Sequence, residues 1–261
     1  MADRAITTND GTRIRYRITG RGFPPLVLVH GWCSNRTHWA AQVDHFADRH
    51  KVLAVDRRGH GDSDVPPSGY TAAQHAHDLA EVLVRERITD AVVVGHAGGA
   101  PGVLALARSF PELTRAVVLI DTTISARTAL GRRDGAPRSG LAALIDRLDA
   151  PDGADAFASL YRGFFSPWAG EVADRAVADA CRVPLPVARA ELASLAVSTE
   201  AMARAIRQPV LWLSVAAADQ PRLTALFRDV RFGQVVGSGH FPHLEVPEQV
   251  NAMIDRFVDT L

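Results

Sequence analysis

Cysteine is scarce: the 261 residues carry two, Cys33 and Cys181. Far apart in the chain, they could pair with each other but form no spaced disulfide framework. The expectation is a chain folded by its own core in a reducing cytoplasm. An excess of charge of either sign is also missing, with Lys+Arg and Asp+Glu both at 29. Such a balance offers no broad field to a nucleic acid or an anionic membrane, so neither is an expected partner. No apolar run approaches the roughly 20 residues that cross a bilayer. The opening Met1-Ala2-Asp3-Arg4 leads into alternating polar and apolar residues, not into a secretory signal. Repeats and low-complexity tracts are absent. What remains is an ordinary globular composition, of a length that suits one α/β domain with an insertion.

The apolar residues that are present come in short blocks. Arg13 to Ile18 alternates as a half-buried strand does, and Asn9-Asp10-Gly11 before it has hairpin-turn chemistry. Leu26–Val29, Val52–Val55, Ala91–Val94, Val117–Ile120 and Val210–Leu213 are continuous runs, suited to parallel strands covered on both faces. Segments of helical length separate the early ones: Thr37 to Ala47, Thr71 to Arg87 and Gly99 to Phe110. This alternation predicts right-handed βαβ crossovers and a mostly parallel, doubly wound sheet. A further helix (Pro221 to Asp229), a strand (Val230 to Val236) and a final amphipathic helix follow.

The rhythm breaks between Ile124 and Arg207, a stretch rich in Ala and Arg without β-branched runs. Thr128 to Ser139 is expected to be a mobile loop, with Arg127, Arg132 and Arg133 solvated. Residues 140–206 are expected to be short helices broken at Pro151, Pro167, Pro184 and Pro186. The domain reading is a core of residues 1–123 and 208–261, with residues 124–207 as a helical cap. An insertion after a strand's carboxyl end lies over the crevice where open α/β sheets bind ligands.

Four motifs carry chemistry. Gly95-His96-Ala97-Gly98-Gly99 lies directly after a strand and before a helix, the context of a G-x-S-x-G nucleophile elbow, but its middle residue has no oxygen. His30-Gly31-Trp32-Cys33 follows the strand at Leu26. Asp56-Arg57-Arg58-Gly59-His60-Gly61-Asp62-Ser63 follows the next strand, and its expected job is structural. Near the end, Gly237-Ser238-Gly239-His240-Phe241-Pro242-His243-Leu244-Glu245 puts a histidine on a glycine-freed loop, with His243 expected exposed at the rim.

Together these motifs resemble the α/β-hydrolase fold family across essentially the whole chain. The segments His30–Cys33 and Gly239–Pro242 also resemble, more weakly, the cofactor-free quinolone dioxygenases, which share this fold. The resemblance implies a small-molecule enzyme with position 97 as nucleophile, His240 as base, and the Trp32 and Gly98 N–H groups as oxyanion donors. Asp121, immediately after its strand, is the preferred acid, and Asp219 stays open as the alternative. Two explanations of Ala97 stand. The favoured one is an esterase- or lactonase-like serine hydrolase in which alanine replaces the serine. The other is a native alanine, in a non-hydrolytic enzyme (cofactor-free oxygenase, lyase or cyclase) using His240 as base, or in a ligand-binding protein.

No cofactor or metal is expected. Gly95 to Gly99 lacks the spacing of a dinucleotide fingerprint and the lysine of a P-loop, and the histidines show no metal-ligand spacing. Tyr161, Phe164, Phe165 and Trp168 cluster in the expected cap, so the substrate is predicted to be a neutral, largely apolar ester or lactone of modest size.

Overall fold

A computed structural model of the chain describes residues 2–124, 148, 153–195 and 197–261. Strands β1 (Ala2–Thr7) and β2 (Arg13–Thr19) form an antiparallel hairpin, turned at Gly11, which takes a φ of 85°. Six more strands follow: β3 (Leu26–Val29), β4 (Val52–Val55), β5 (Ala91–His96), β6 (Thr114–Ile120), β7 (Val210–Ser214) and β8 (Val230–Gln234). They join in one sheet of order β1-β2-β4-β3-β5-β6-β7-β8. From β4 to β8 every pairing is parallel, while β2 meets β4 antiparallel. This is the α/β-hydrolase fold, with the mostly parallel sheet that the apolar runs imply. Strand β8 ends short of Val236 because that residue's N–H is taken by the Gln249 side chain instead of by β7.

The continuous runs are apolar throughout because the sheet is covered twice. Val27, Val29, Val93, Val117 and Leu119 face one layer, where helices α2 (Ala72–Arg85) and α3 (Ala100–Ser109) lay down Leu79, Leu83, Val103 and Leu106. Leu26, Leu28, Val92, Val94 and Val118 face the other, with Trp39, Phe46, Val250, Ile254 and Phe257. Side chains alternate faces along a strand, so both sets must be apolar for either layer to pack. Helix α2 starts at its cap: the Thr71 hydroxyl accepts the Gln74 N–H at 3.2 Å, a contact that contributes about 1 kcal/mol. The expected helix at Thr37 begins as a tight turn (Arg36–Trp39) and continues as α1 (Ala40–Phe46).

Helices α4 (Gly153–Arg162), α5 (Gly170–Ala180) and α6 (Leu185–Leu195) build a third apolar cluster. Phe157, Tyr161, Ala176, Val187 and Leu192 pack there with Trp32, Tyr70 and Phe241 of the sheet loops. Pro184 and Pro186 flank the start of α6, where a missing N–H costs no intrahelical bond. Helix α7 (Glu200–Ala205) behaves differently: Ala203 and the following Ile206 pack with α3 in the sheet-facing layer. The stretch from Thr128 to Ser139, with Arg132 and Arg133, lies outside the described residues, as do Arg127 and Pro151.

The strand order places a site. Chain connections run outward in opposite directions from the neighbours β3 and β5, so the loops after these two strands diverge and open a crevice at the sheet's carboxyl edge. The loop after β3 begins at His30, and the turn after β5 begins at Ala97.

Candidate active site

The turn after β5 has the strained geometry of an elbow. Ala97 takes a φ of 43°, a left-handed conformation that costs a residue other than glycine about 1 kcal/mol. Its carbonyl accepts the Thr122 hydroxyl at 3.0 Å, which secures the turn from the end of β6. Glycine is needed behind it for closeness. A Cβ on Gly99 would stand 2.5 Å from the His30 carbonyl oxygen, and one on Gly98 would stand 3.1 Å from the Trp32 amide nitrogen. The backbone at Gly98 and Trp32 therefore closes to contact across the crevice, and both residues line the cavity beside Ala97. The Trp32 ring turns away into the helices, where Nε1 donates to the Ala188 carbonyl at 2.9 Å.

Asp121 and His240 meet. Nδ1 of His240 and Oδ2 of Asp121 lie 2.6 Å apart, while Oδ1 accepts the Val215 N–H at 3.1 Å. The carboxylate is thus oriented from the end of β7, and it engages the imidazole through Nδ1 while His240 lines the cavity. Asp219 lies elsewhere in role: its side chain caps helix α8 (Gln220–Leu226) through the Arg222 N–H at 3.2 Å.

The loop that carries His240 is held by hydrogen bonds from its neighbours. The His240 N–H donates to the Phe164 carbonyl at 2.7 Å, and its own carbonyl accepts Nε2–H of His96 at 2.8 Å. Glu245 accepts the Gly239 and Ser166 N–H groups, both at 3.1 Å, one with each oxygen. His96, the variable residue of the elbow motif, is wholly buried, and burial holds its ring neutral with a pKa well below the ordinary value. The positioning roles of His96 and Glu245 escape sequence reasoning, although Glu245 belongs to the quoted motif. His243 corrects an expectation. It is not at the rim but buried, 1% exposed, with its ring 4.3 Å from that of Trp39. The helical turn Pro242–Glu245 rotates it inward.

The cavity has a volume of about 200 Å³. Ile124, Phe164, Leu192, Leu195 and Val197 supply apolar wall, and the hydroxyls of Thr122 and Thr199 are spent on backbone carbonyls. Of the four clustered aromatics, Tyr161 and Phe164 reach the cavity. Phe165 stacks on Phe241 with centroids 4.4 Å apart, and Trp168 is 71% exposed. Among the described residues, no group of three or more His, Cys, Asp or Glu side chains is placed to hold a metal ion, and no helix is long and apolar enough to cross a membrane. Both cysteines are free thiols, Cys33 buried and Cys181 exposed.

The Asp56–Ser63 loop is a dense polar lattice beneath this crevice. The Asp56 carboxylate pairs with Arg36 and accepts the Arg36 and Asp62 N–H groups, and Ser63 Oγ donates to the Asp56 carbonyl at 2.7 Å. Arg58 forms a fork on Asp78 at 2.6 and 2.7 Å and reaches Asp10 at 2.9 Å.

Comparison with known proteins agrees with this architecture. A 2-(acetamidomethylene)succinate hydrolase of Mesorhizobium japonicum is 38% identical over 112 residues, a match spanning 42% of this chain and 40% of that relative. An esterase from a Rhodococcus species superposes with a TM-score of 0.83 at 26% identity, covering all of both chains. A hydrolase from Pseudomonas aeruginosa superposes with a TM-score of 0.81 at 25% identity, over 98% of each. The sequence profile described as the alpha/beta hydrolase family matches residues 26–253, from the first residue of β3 into the last helix. With that span covering both edges of the crevice and the loop of His240, the chain belongs to the alpha/beta hydrolase family.

Proposed function

We propose that the cavity is the active site of an esterase- or lactonase-like hydrolase for a small, largely apolar substrate, with Ala97 standing where a serine nucleophile completes the triad. One observation carries this reading: the His240–Asp121 pair, closed at 2.6 Å, lines the same cavity as the left-handed elbow at Ala97. A carboxylate and an imidazole joined through Nδ1 form a base whose tautomer is set, and the elbow is where a family member presents its nucleophile. The relatives named esterase and hydrolase support the reaction class.

With serine at 97, Oγ attacks the acyl carbon and His240 Nε2 takes its proton. The developing oxyanion sits between the Trp32 and Gly98 N–H groups, and His240 then protonates the leaving alcohol. Water repeats the sequence on the acyl-enzyme. With alanine the oxyanion donors and the base persist, because none of them belongs to the side chain at 97. The chain binds its substrate but forms no acyl-enzyme, a loss of about a million-fold in turnover by analogy with triads lacking their nucleophile. Helices α4 and α6, within the proposed cap of residues 124–207, wall the cavity through Tyr161, Leu192 and Leu195.

The test is Ala97→Ser. That protein is expected to hydrolyse p-nitrophenyl acetate or butyrate and to be labelled by a fluorophosphonate, while the Ala97 protein does neither. An inert Ala97→Ser protein removes the hydrolase reading. A second reading has its own support, since the His240–Asp121 base is complete without any group from residue 97. With alanine native, His240 abstracts a proton from a bound substrate, and turnover by the Ala97 protein that His240→Ala abolishes would establish it.

A further inference from the structure

Arg57, the second residue of the Asp56–Ser63 motif, is almost fully buried. Its Nη1 and Nη2 form a fork on Glu191 of α6 at 2.7 and 3.0 Å. Nη2 also donates to the Gly31 carbonyl at 2.8 Å. The Arg57 backbone N–H donates to Nε2 of His30 at 3.0 Å, which puts that ring's proton on Nδ1, and Nδ1 lies 2.9 Å from the same Gly31 carbonyl. With the Ser34 N–H at 3.4 Å, three donors converge on this oxygen, and the Arg57 guanidinium brings the only charge among them.

That oxygen belongs to the peptide unit whose nitrogen is Trp32 N. The unit is trans, so its C=O and N–H point in opposite directions. Holding the oxygen against Arg57 and His30 aims the N–H the other way, toward the Gly98 side of the crevice. A guanidinium on the carbonyl also draws electron density onto oxygen and makes the N–H a stronger donor.

We infer that Arg57 is a positioning residue for the oxyanion hole, aiming and polarising the Trp32 N–H through the Gly31 carbonyl, and that Glu191 couples this to the seating of α6 over the cavity. The catalytic consequence rests on the hydrolase reading above. Glu191 is suited to the task. His75 Nε2 stands 3.0 Å from one of its oxygens and His60 Nε2 3.4 Å from the other. Burial pushes the Glu191 carboxyl up, but Arg57, His60 and His75 outweigh it and hold it well below the usual carboxylate range. The same helix presents Leu192 and Leu195 to the cavity. Docking of α6 thus brings the apolar wall and the clamp on Arg57 together.

Arg57→Met alone strands a buried carboxylate, so the informative variant is Arg57→Met/Glu191→Met, which removes both charges at similar volume. In the Ala97→Ser protein, kcat and KM for p-nitrophenyl acetate and the melting temperature are measured. In the Ala97 protein, the Trp32 amide proton shift is followed by NMR. The double variant is expected to melt close to its parent and to keep KM within about two-fold. Its kcat falls about 10- to 100-fold, less than the loss of a whole oxyanion donor, and the Trp32 amide proton moves upfield. Recovery of both melting temperature and kcat would make Arg57 a charge partner only and overturn the inference. If the double variant does not fold, Arg57→Lys serves: it keeps a cation for Glu191 but lacks the fork that reaches Gly31 at the same time. Its kcat is expected to fall with KM held, and an unchanged kcat overturns the inference. If the Ala97→Ser protein hydrolyses no ester, the hydrolase reading fails by itself. The Trp32 amide then decides: an upfield move sustains the positioning role, and an unmoved resonance ends it.

Discussion

Asp121 and His240, 119 positions apart in the chain, share a contact of 2.6 Å between Oδ2 and Nδ1. Asp121 reaches it from a φ of 40°, a left-handed conformation in the residue directly after β6. Its N–H donates to the Leu213 carbonyl at 2.7 Å, so β7 holds the backbone in that conformation. The other aspartate at a strand end, Asp219, is engaged in capping a helix.

This division gives the first prediction. In the Ala97→Ser protein, Asp121→Asn is expected to lower kcat by about 10⁴-fold, because an amide in place of the carboxylate favours the wrong imidazole tautomer. Asp219→Ala should leave kcat unchanged and reduce stability by about 1 kcal/mol through loss of the cap. Ester hydrolysis and urea unfolding separate the two.

Gly99 gives the second. A Cβ there meets two backbone oxygens, His30 O at 2.5 Å and Val29 O at 2.9 Å, neither of which can swing aside as a side chain does. Gly99→Ala is expected to cost about 1–3 kcal/mol and to push the loop after β3 away from the elbow. Urea unfolding measures the cost. A crystal structure would show the displacement.

The buried histidines give the third. His30, His96 and His243 are each driven well below the ordinary imidazole value, by burial first, and His60 is lowered to about 4. Unfolded, each binds a proton near pH 6.5, while folded it does not. The unfolded state therefore binds more protons as pH falls below 6.5, and folded stability drops, by up to about 1.4 kcal/mol per histidine for each pH unit. Thermal melts at pH 7.5 and 5.5 should show this loss. His243→Phe keeps the ring beside Trp39 and removes one titrating group whose nitrogens find no partner among the described residues. It is expected to be less acid-sensitive than the parent.

Glu245 gives the fourth. Its two oxygens accept the N–H groups of Gly239 and Ser166, joining the His240 loop to the segment after α4. Glu245→Ala leaves both donors unpaired and is expected to cost about 1.5–3 kcal/mol. Faster hydrogen exchange at Gly239 and His240, measured against the rest of the sheet, checks that the damage is local.

Much of the architecture was legible in the residues. The runs at Leu26, Val52, Val92, Val117 and Val210 are strands because only a twice-covered strand demands apolar side chains on both faces. The glycines at 98 and 99 belong to the elbow motif visible in the sequence, and the structure shows which backbone each approaches: Trp32 for one, His30 for the other. Sequence adjacency was a poor guide where a single turn decides burial. His240 and His243 are three residues apart, yet one faces the cavity and the other lies under Trp39.

The amino-acid sequence by itself determined the sheet, the elbow and the residue types at the crevice, because periodicity, glycine and strand-end position are local properties. Which carboxylate meets which imidazole, and that Glu191 holds Arg57 against the Gly31 carbonyl, only the tertiary structure decided. Those contacts join residues more than a hundred positions apart. Their geometry is set by how layers of helices and strands pack, which no local pattern records.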